Sequence, residues 1–223
     1  GNVSQDTIFL SDNGFRSIAL AVQSDTLEDT DIGSPIDDLV RPNLAGEIAP
    51  FSVWFAPSGQ FWCVMGSVVW VYTYSRTSKV KAWSRFAMPF AVDDAAVLNG
   101  KLYLREGNNV YRVDENTHQD GVTAPQVVIE FPLLDFKAPG ALKIIQGVDF
   151  VGRGTVALSY RYLDEAGSLH ETEAVEVTGN TMPGVMTPVE LCVTAIAPRI
   201  VHQANEAFRL SRLTFYFDVL NAA

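Results

Sequence analysis

From Phe51 to Arg112 the chain alternates short runs of β-branched and aromatic residues with turn residues. "FSVWFAP" stops at "SGQ", "FWCVM" at Gly66, and "VVWVYTYSR" at "TSK". "VKAWSRF" follows, and then "DDAAVLNGKLYLREGNNVYRVDE", with turn residues at Asn99-Gly100 and Gly107-Asn108. Runs of about 5–8 residues with a turn about every ten form the rhythm of antiparallel sheet. Helical periodicity is absent here, so the segment predicts strands joined by tight turns, in a sandwich or a propeller.

The same reading extends in both directions. "DTIFLSDNGFRSIALAV" (6–22) reads as two strands about Asp12-Asn13-Gly14, where Asn-Gly tolerates the positive φ of a hairpin turn. "QSDTLEDTDIGSPIDDLVRPNLAGE" (23–47) is an acidic loop holding one short helix, "SPIDDLV", with Ser34 as its cap and Pro35 at its first position. The polar run "DENTHQDGVTAP" (114–125) reads as a domain boundary. After it come "QVVIEFPLLDF", "LKIIQGVDFVG", "GTVALSYRYLD", "LHETEAVEV", "VELCVTAIAPRIVH" and "FRLSRLTFYFDVL". These predict a small β-sandwich in which the turn "DEAG" joins a hairpin and the last, apolar strand is a core strand. The expected fold class is therefore all-β with antiparallel sheets. A partial β-propeller-like region over 1–120 includes the acidic loop at 23–47, and a C-terminal β-sandwich covers 121–223.

Charge narrows the function classes. The net charge is −10, made of −7 in residues 1–50, +4 in 51–113 and −7 in 114–223. A duplex-binding protein needs a dominant basic face to release counterions from phosphate, so tight non-specific DNA binding is disfavoured. No apolar run is long enough for a membrane helix, and the N-terminus has neither the basic nor the apolar region of a signal peptide. The abrupt start at Gly1 suggests a trimmed chain. Cys63 and Cys192 read as buried free thiols.

The basic segment centres on "YTYSRTSKVKAWSRFAM" (72–88). Side chains alternate along a strand. Trp70, Tyr72, Tyr74 and Arg76 therefore share one face, and so do Lys79, Lys81, Trp83 and Arg85. If the strands pair across "RTSK", the bulky and basic residues lie together, although a one-residue slip reverses this. Tyr72, Tyr74, Lys81, Trp83 and Arg85 are thus the candidate interaction surface. The readings are packing against a sheet or subunit, stacking on a sugar, and contact with single-stranded nucleic acid.

No catalytic, cofactor or metal site is expected. His118, His170 and His202 are scattered, without a metal-ligand spacing. An EF-hand carries glycine at its sixth position and glutamate at its twelfth. Counted from Asp29, Gly33 falls fifth and Val40 twelfth, so Asp25, Glu28, Asp29, Asp31, Asp37 and Asp38 read as a solvated loop, with a calcium site of another geometry as the alternative. GxSxG, P-loop and GxGxxG motifs are absent.

The run "GQFWCVMGSVVWVYTYSRTSKVKAWSRFAMPFAVDDAAVLNGKLYLREGNNVYRVD" resembles the tail tubular protein B, or nozzle, proteins of short-tailed bacteriophages. Those proteins carry a Val-Tyr-aromatic strand, a polar turn, an "AWSR"-like strand and a hairpin similar to "LYLREGNNVYR". "IFLSDNGFRSIAL" and "DIGSPIDDLV" are similar to the segment placed before it, so the resemblance spans residues 8–114. It implies a virion structural protein without catalysis or cofactor. Its partners would be further copies of itself in a ring, other phage tail proteins, and genomic DNA in passing contact. The resemblance also implies a place in the virion tail after synthesis in the host cytoplasm, with a part in tail assembly, the DNA exit channel and genome retention. Nozzle proteins are much larger, so this chain is expected to be a fragment or a reduced relative. The alternative is a carbohydrate-binding or glycosidase-like β protein with Trp83, Tyr72 and Tyr74 as its stacking platform.

Overall fold

The computed structural model describes residues 2–3, 6–18, 32–44, 49–75, 77, 80–114, 116–121, 123–164, 166–179 and 184–220. The described chain is mostly strand, in several antiparallel sheets, none of them closed into a barrel. It divides into two compact units, Gly1–Asp114 and Glu115–Ala223.

The first unit is a succession of sheets in chain order. Strands β1 (Asn2–Val3), β2 (Asp6–Ser11) and β3 (Gly14–Ser17) pair in sequence. A 3-10 turn, Ser34–Ile36, leads into helix α1 (Asp37–Leu44). Next comes the four-stranded meander β4 (Phe51–Phe55), β5 (Gln60–Met65), β6 (Val68–Ser75) and β7 (Val80–Ala87). The three-stranded meander β8 (Asp94–Leu98), β9 (Lys101–Glu106) and β10 (Asn109–Arg112) completes the unit.

The middle sheet, β4–β7, is buried on both faces at its inner strands β5 and β6. Phe61, Cys63 and Met65 of β5 and Trp70 and Tyr72 of β6 pack in one core with Ile8, Phe15, Ile36 and Val40. The intervening Trp62, Val64, Val69 and Val71 pack in a second core with Leu102 and Leu104 of β9 and with Val92. Period-two alternation sends successive side chains of one strand into two cores, and this explains the nearly unbroken apolar runs. Each fully buried large apolar side chain contributes about 1.5–3 kcal/mol.

The 3-10 turn and α1 dock on the β2–β3 hairpin through two close approaches that demand glycine. Gly14 sits at φ +118°, and a Cβ there would lie 1.9 Å from Asp37 Oδ1. A Cβ on Gly33 would lie 2.4 Å from the Phe15 carbonyl oxygen. Arg16 clamps the same junction, donating to Asp37 Oδ1 at 3.2 Å and Oδ2 at 3.0 Å. The helix start differs from expectation: Gly33 is the residue before the turn, Ser34 lies inside it, and no side chain caps it. Ser34 fails as a cap because the chain turns one residue earlier, at the glycine that lets it approach Phe15.

The second unit is a two-sheet sandwich. One sheet runs β11 (Val127–Glu130), β17 (Ile196–His202), β13 (Thr155–Leu163) and β14 (Leu169–Glu171), with β15 (Val175–Thr178) also paired to β13. The other runs β16 (Met186–Val193), β12 (Lys143–Arg153) and β18 (Arg209–Val219). Ile145, Val148 and Phe150 of β12 meet Val156, Leu158 and Tyr160 of β13 and Ile196 and Ile200 of β17 in one core.

Three expectations change here. "HETEAVEV" is two strands broken at Thr172–Ala174, where Thr172 turns back to the chain. Its N–H donates to the Tyr160 carbonyl, and its hydroxyl accepts from the Tyr160 N–H. Strand β18 is a sheet edge rather than a central strand, although its inner residues pack on the core. Cys192 is exposed, because β16 turns it to the outer face of its sheet; only Cys63 is buried.

Candidate interaction face

Strand β7 pairs with β6 so that Tyr72 lies opposite Trp83, Tyr74 opposite Lys81 and Trp70 opposite Arg85. Directly opposed residues in an antiparallel pair project to the same side. The register therefore gathers all five candidate residues on one face. Residues 76, 78 and 79, between the two strands, lie outside the described residues, and Arg76 and Lys79 with them.

The face divides by burial. Tyr72 is buried, and Tyr74 and Trp83 are half-buried. Trp83 stacks on Phe15 with ring centroids 4.4 Å apart and planes at 26°, and Tyr72 lies tilted against it at 5.0 Å. The Trp83 indole N–H donates to the Ile32 carbonyl at 2.6 Å, tying β7 to the segment before the 3-10 turn. Both the ring and the polar handle of Trp83 are thus engaged within the fold. Lys81 and Arg85 flank it and are exposed. The same face is apolar and sealed at its centre and cationic at its rim. Among the described residues the aromatic side chains of this face pack within the fold, and Lys81 and Arg85 are its most exposed members.

The other sequence-level candidates are dispersed. Asp25, Glu28, Asp29 and Asp31 of the acidic loop lie outside the described residues, while Asp37 is held by Arg16 and Asp38 by Arg41. No group of three or more potential metal ligands occurs among the described residues. His202 is buried, stacked on Phe208, with Nδ1 2.8 Å from the Thr155 carbonyl. His170 Nε2 lies 2.8 Å from Asp164 Oδ2. That contact, with the Ser168 and Ala166 N–H groups, holds the Asp164 carboxyl below its ordinary value. Burial pushes the Cys63 thiol up to about 12, which leaves it protonated and unreactive at neutral pH.

Two features of the second unit were not read from the sequence. Lys143 is fully buried, and its ammonium donates to the carbonyls of Ala138 at 2.7 Å, Ala141 at 2.8 Å and Thr194 at 2.7 Å. It fastens two loops to the start of β12. Arg199 donates to Glu130 at 3.0 Å and lies 3.6 Å from Glu171, and Arg161 lies 3.4 Å from Glu130. The paired charges cancel into a neutral lattice on the outer face of the five-stranded sheet. A lysine opening an apolar strand was the only sequence signal for the first feature. Nothing in one sequence pairs Glu130 with Arg199.

No protein-family model matches this chain, and no curated protein matches it.

Proposed function

We propose that this chain is a structural module of a phage tail nozzle, acting through packing and assembly rather than catalysis. One observation carries the reading. In the span that resembles nozzle proteins, sheets successive in sequence pack face to face, and the middle one is covered on both sides. Successive small antiparallel sheets stacked in this way are how propeller blades are built. The "AWSR" strand that carries much of the resemblance is β7, and its tryptophan is the residue that locks this layer to the preceding hairpin.

In this reading the chain belongs to the virion tail and contacts further copies of itself and other tail proteins. Its part in genome retention rests on the resemblance alone, while charge supports a part in the DNA exit channel. A net charge of −10 offers passing DNA little attraction, and attractive contacts would slow a polyanion moving through a channel. The test is electron microscopy of virions carrying a tagged copy of this chain. The label is expected at the tail tip. Particles without label, or label confined to the head, would overturn the assignment, and a basic lumen with these acids facing outward would remove the channel role.

A further inference from the structure

We infer that the second unit pairs with a second copy of this chain through strand β18, antiparallel and about a two-fold axis at Phe215. Strand β18 closes one end of the order β16-β12-β18 and is paired along one side only, with β12. Among the described residues no backbone hydrogen bond reaches its other side. Residues 212–218 run without a break, because the nearby irregularity inserts its extra residue, Gln146, into β12. The bulge of β18 itself, at Ser211, lies just outside this stretch, and 212–218 contains no proline and no inward-pointing charge to guard the edge. Strand β16, at the opposite end of the sheet, carries Pro188.

Beside this edge the sandwich is open. Leu213, Phe215 and Phe217 face inward and, with Phe131, Leu134 and Phe136, line an apolar cleft of about 390 Å³. Phe136 stacks on Phe217 at 4.4 Å from a backbone at φ +52°, a conformation that a bulky residue rarely adopts. A free edge next to an apolar cleft fits an extended strand, whose backbone completes the ladder while alternate side chains cover the cleft.

The residues of β18 identify that strand as β18 itself. Across an antiparallel pair, opposed residues must share a face, which permits only every second register. Centred on Phe215, the pairing sets Leu213 against Phe217 of the second copy and Phe215 against its counterpart, all on the apolar side. On the outer side it sets Thr214 against Tyr216, and Arg212 against Asp218, twice by symmetry. Shifting the centre to Leu213, Thr214 or Tyr216 loses the Arg–Asp opposition. Arg212 has no ion-pair partner among the described residues, and Asp218 accepts only the Gln146 amide. A two-fold contact closes on itself and builds no ring, so the inference does not rest on the tail reading.

Sedimentation of the full chain across the micromolar range tests it, and a species of twice 24.4 kDa is expected. Arg212→Asp and Asp218→Arg should each weaken association about tenfold or more, by placing like charges opposite one another. The double exchange should restore it. Hydrogen exchange on the unaltered chain should show β18 amides slowing as concentration rises, a readout independent of how the variants fold. A monomer at every concentration would overturn the proposal. So would single reversals without effect, a double exchange that fails to rescue, protection confined to other strands, or a β18 edge that captures only a foreign strand.

Discussion

The meander β4–β7 and the sheet β16-β12-β18 both draw on β-branched and aromatic residues, yet the inner strands of the first, β5 and β6, are buried on two faces and the second is buried chiefly on one. In β6 both alternating sets are apolar, Val69 and Val71 on one side and Trp70 and Tyr72 on the other, and each set has its own core. In β12 the inward Ile145, Val148 and Phe150 are buried while Ile144 on the outer side stays 41% exposed. The difference lies in what covers them. The first sheet is flanked by the layers made just before and just after it. The second has the sandwich partner on its inner side; on the other, Asp149 is buried, accepting from the Gly184 N–H, while Ile144 lies open. Strand composition reports that a face is able to pack; the layers next to it decide whether it does.

That contrast can be broken or sharpened by substitution, and the largest effect belongs to the hairpin covering β4–β7. Phe15 is fully buried and stacked on Trp83, so Phe15→Ala should cost about 3–5 kcal/mol in urea unfolding. It should also change the tryptophan fluorescence of the folded state. A loss below about 1 kcal/mol would mean that the hairpin is not a true second cover. The same polar replacement placed on both sheets measures the contrast directly. Val71→Ser should destabilise by about 2–4 kcal/mol, since Val71 is fully buried. Ile144→Ser should cost less than about 1 kcal/mol. Equal losses would mean that Ile144 is covered after all.

The smallest effect is a pH dependence at the β13–β14 turn. The carboxyl of Asp164 is held below its ordinary value by His170 first and then by turn N–H groups. A depressed carboxylate stabilises the fold above its unfolded pKa, and the contribution disappears as pH falls through the folded pKa. Asp164→Asn should therefore be slightly less stable than the parent at neutral pH. The gap should close in acid, as read by urea midpoints across the acid range. A gap that is constant with pH would assign the effect to packing instead.

Much of this fold was legible in the sequence because strands and turns are local. The turn at Asn99-Gly100 adopts φ +52° and +71°, as its residues demand. The two faces of β6 follow from alternation alone. Register was less accessible: "RTSK" joins β6 to β7, but only the structure places Tyr72 opposite Trp83. The environment of Trp83 was not legible either. Its stacking partner Phe15 and its acceptor Ile32 come from distant segments, and a single chain carries no signal joining them. Lys143 went unread for a similar reason, since its partners are backbone carbonyls that every residue possesses. Cys192 reads as apolar, but the pleat turns it outward.

Strand order also bears on how the molecule is made. In the first unit, each sheet joins strands adjacent in sequence, so every layer is complete once its own stretch has left the ribosome. The second unit interleaves its strands: β17 lies between β11 and β13, and β12 lies between β16 and β18. Its central strand must persist half-paired until β18 emerges, and such non-local closure is slow. Synthesis that stalls before Arg209 would leave a finished first unit attached to an open, apolar sandwich. The second unit is therefore where quality control would find this chain.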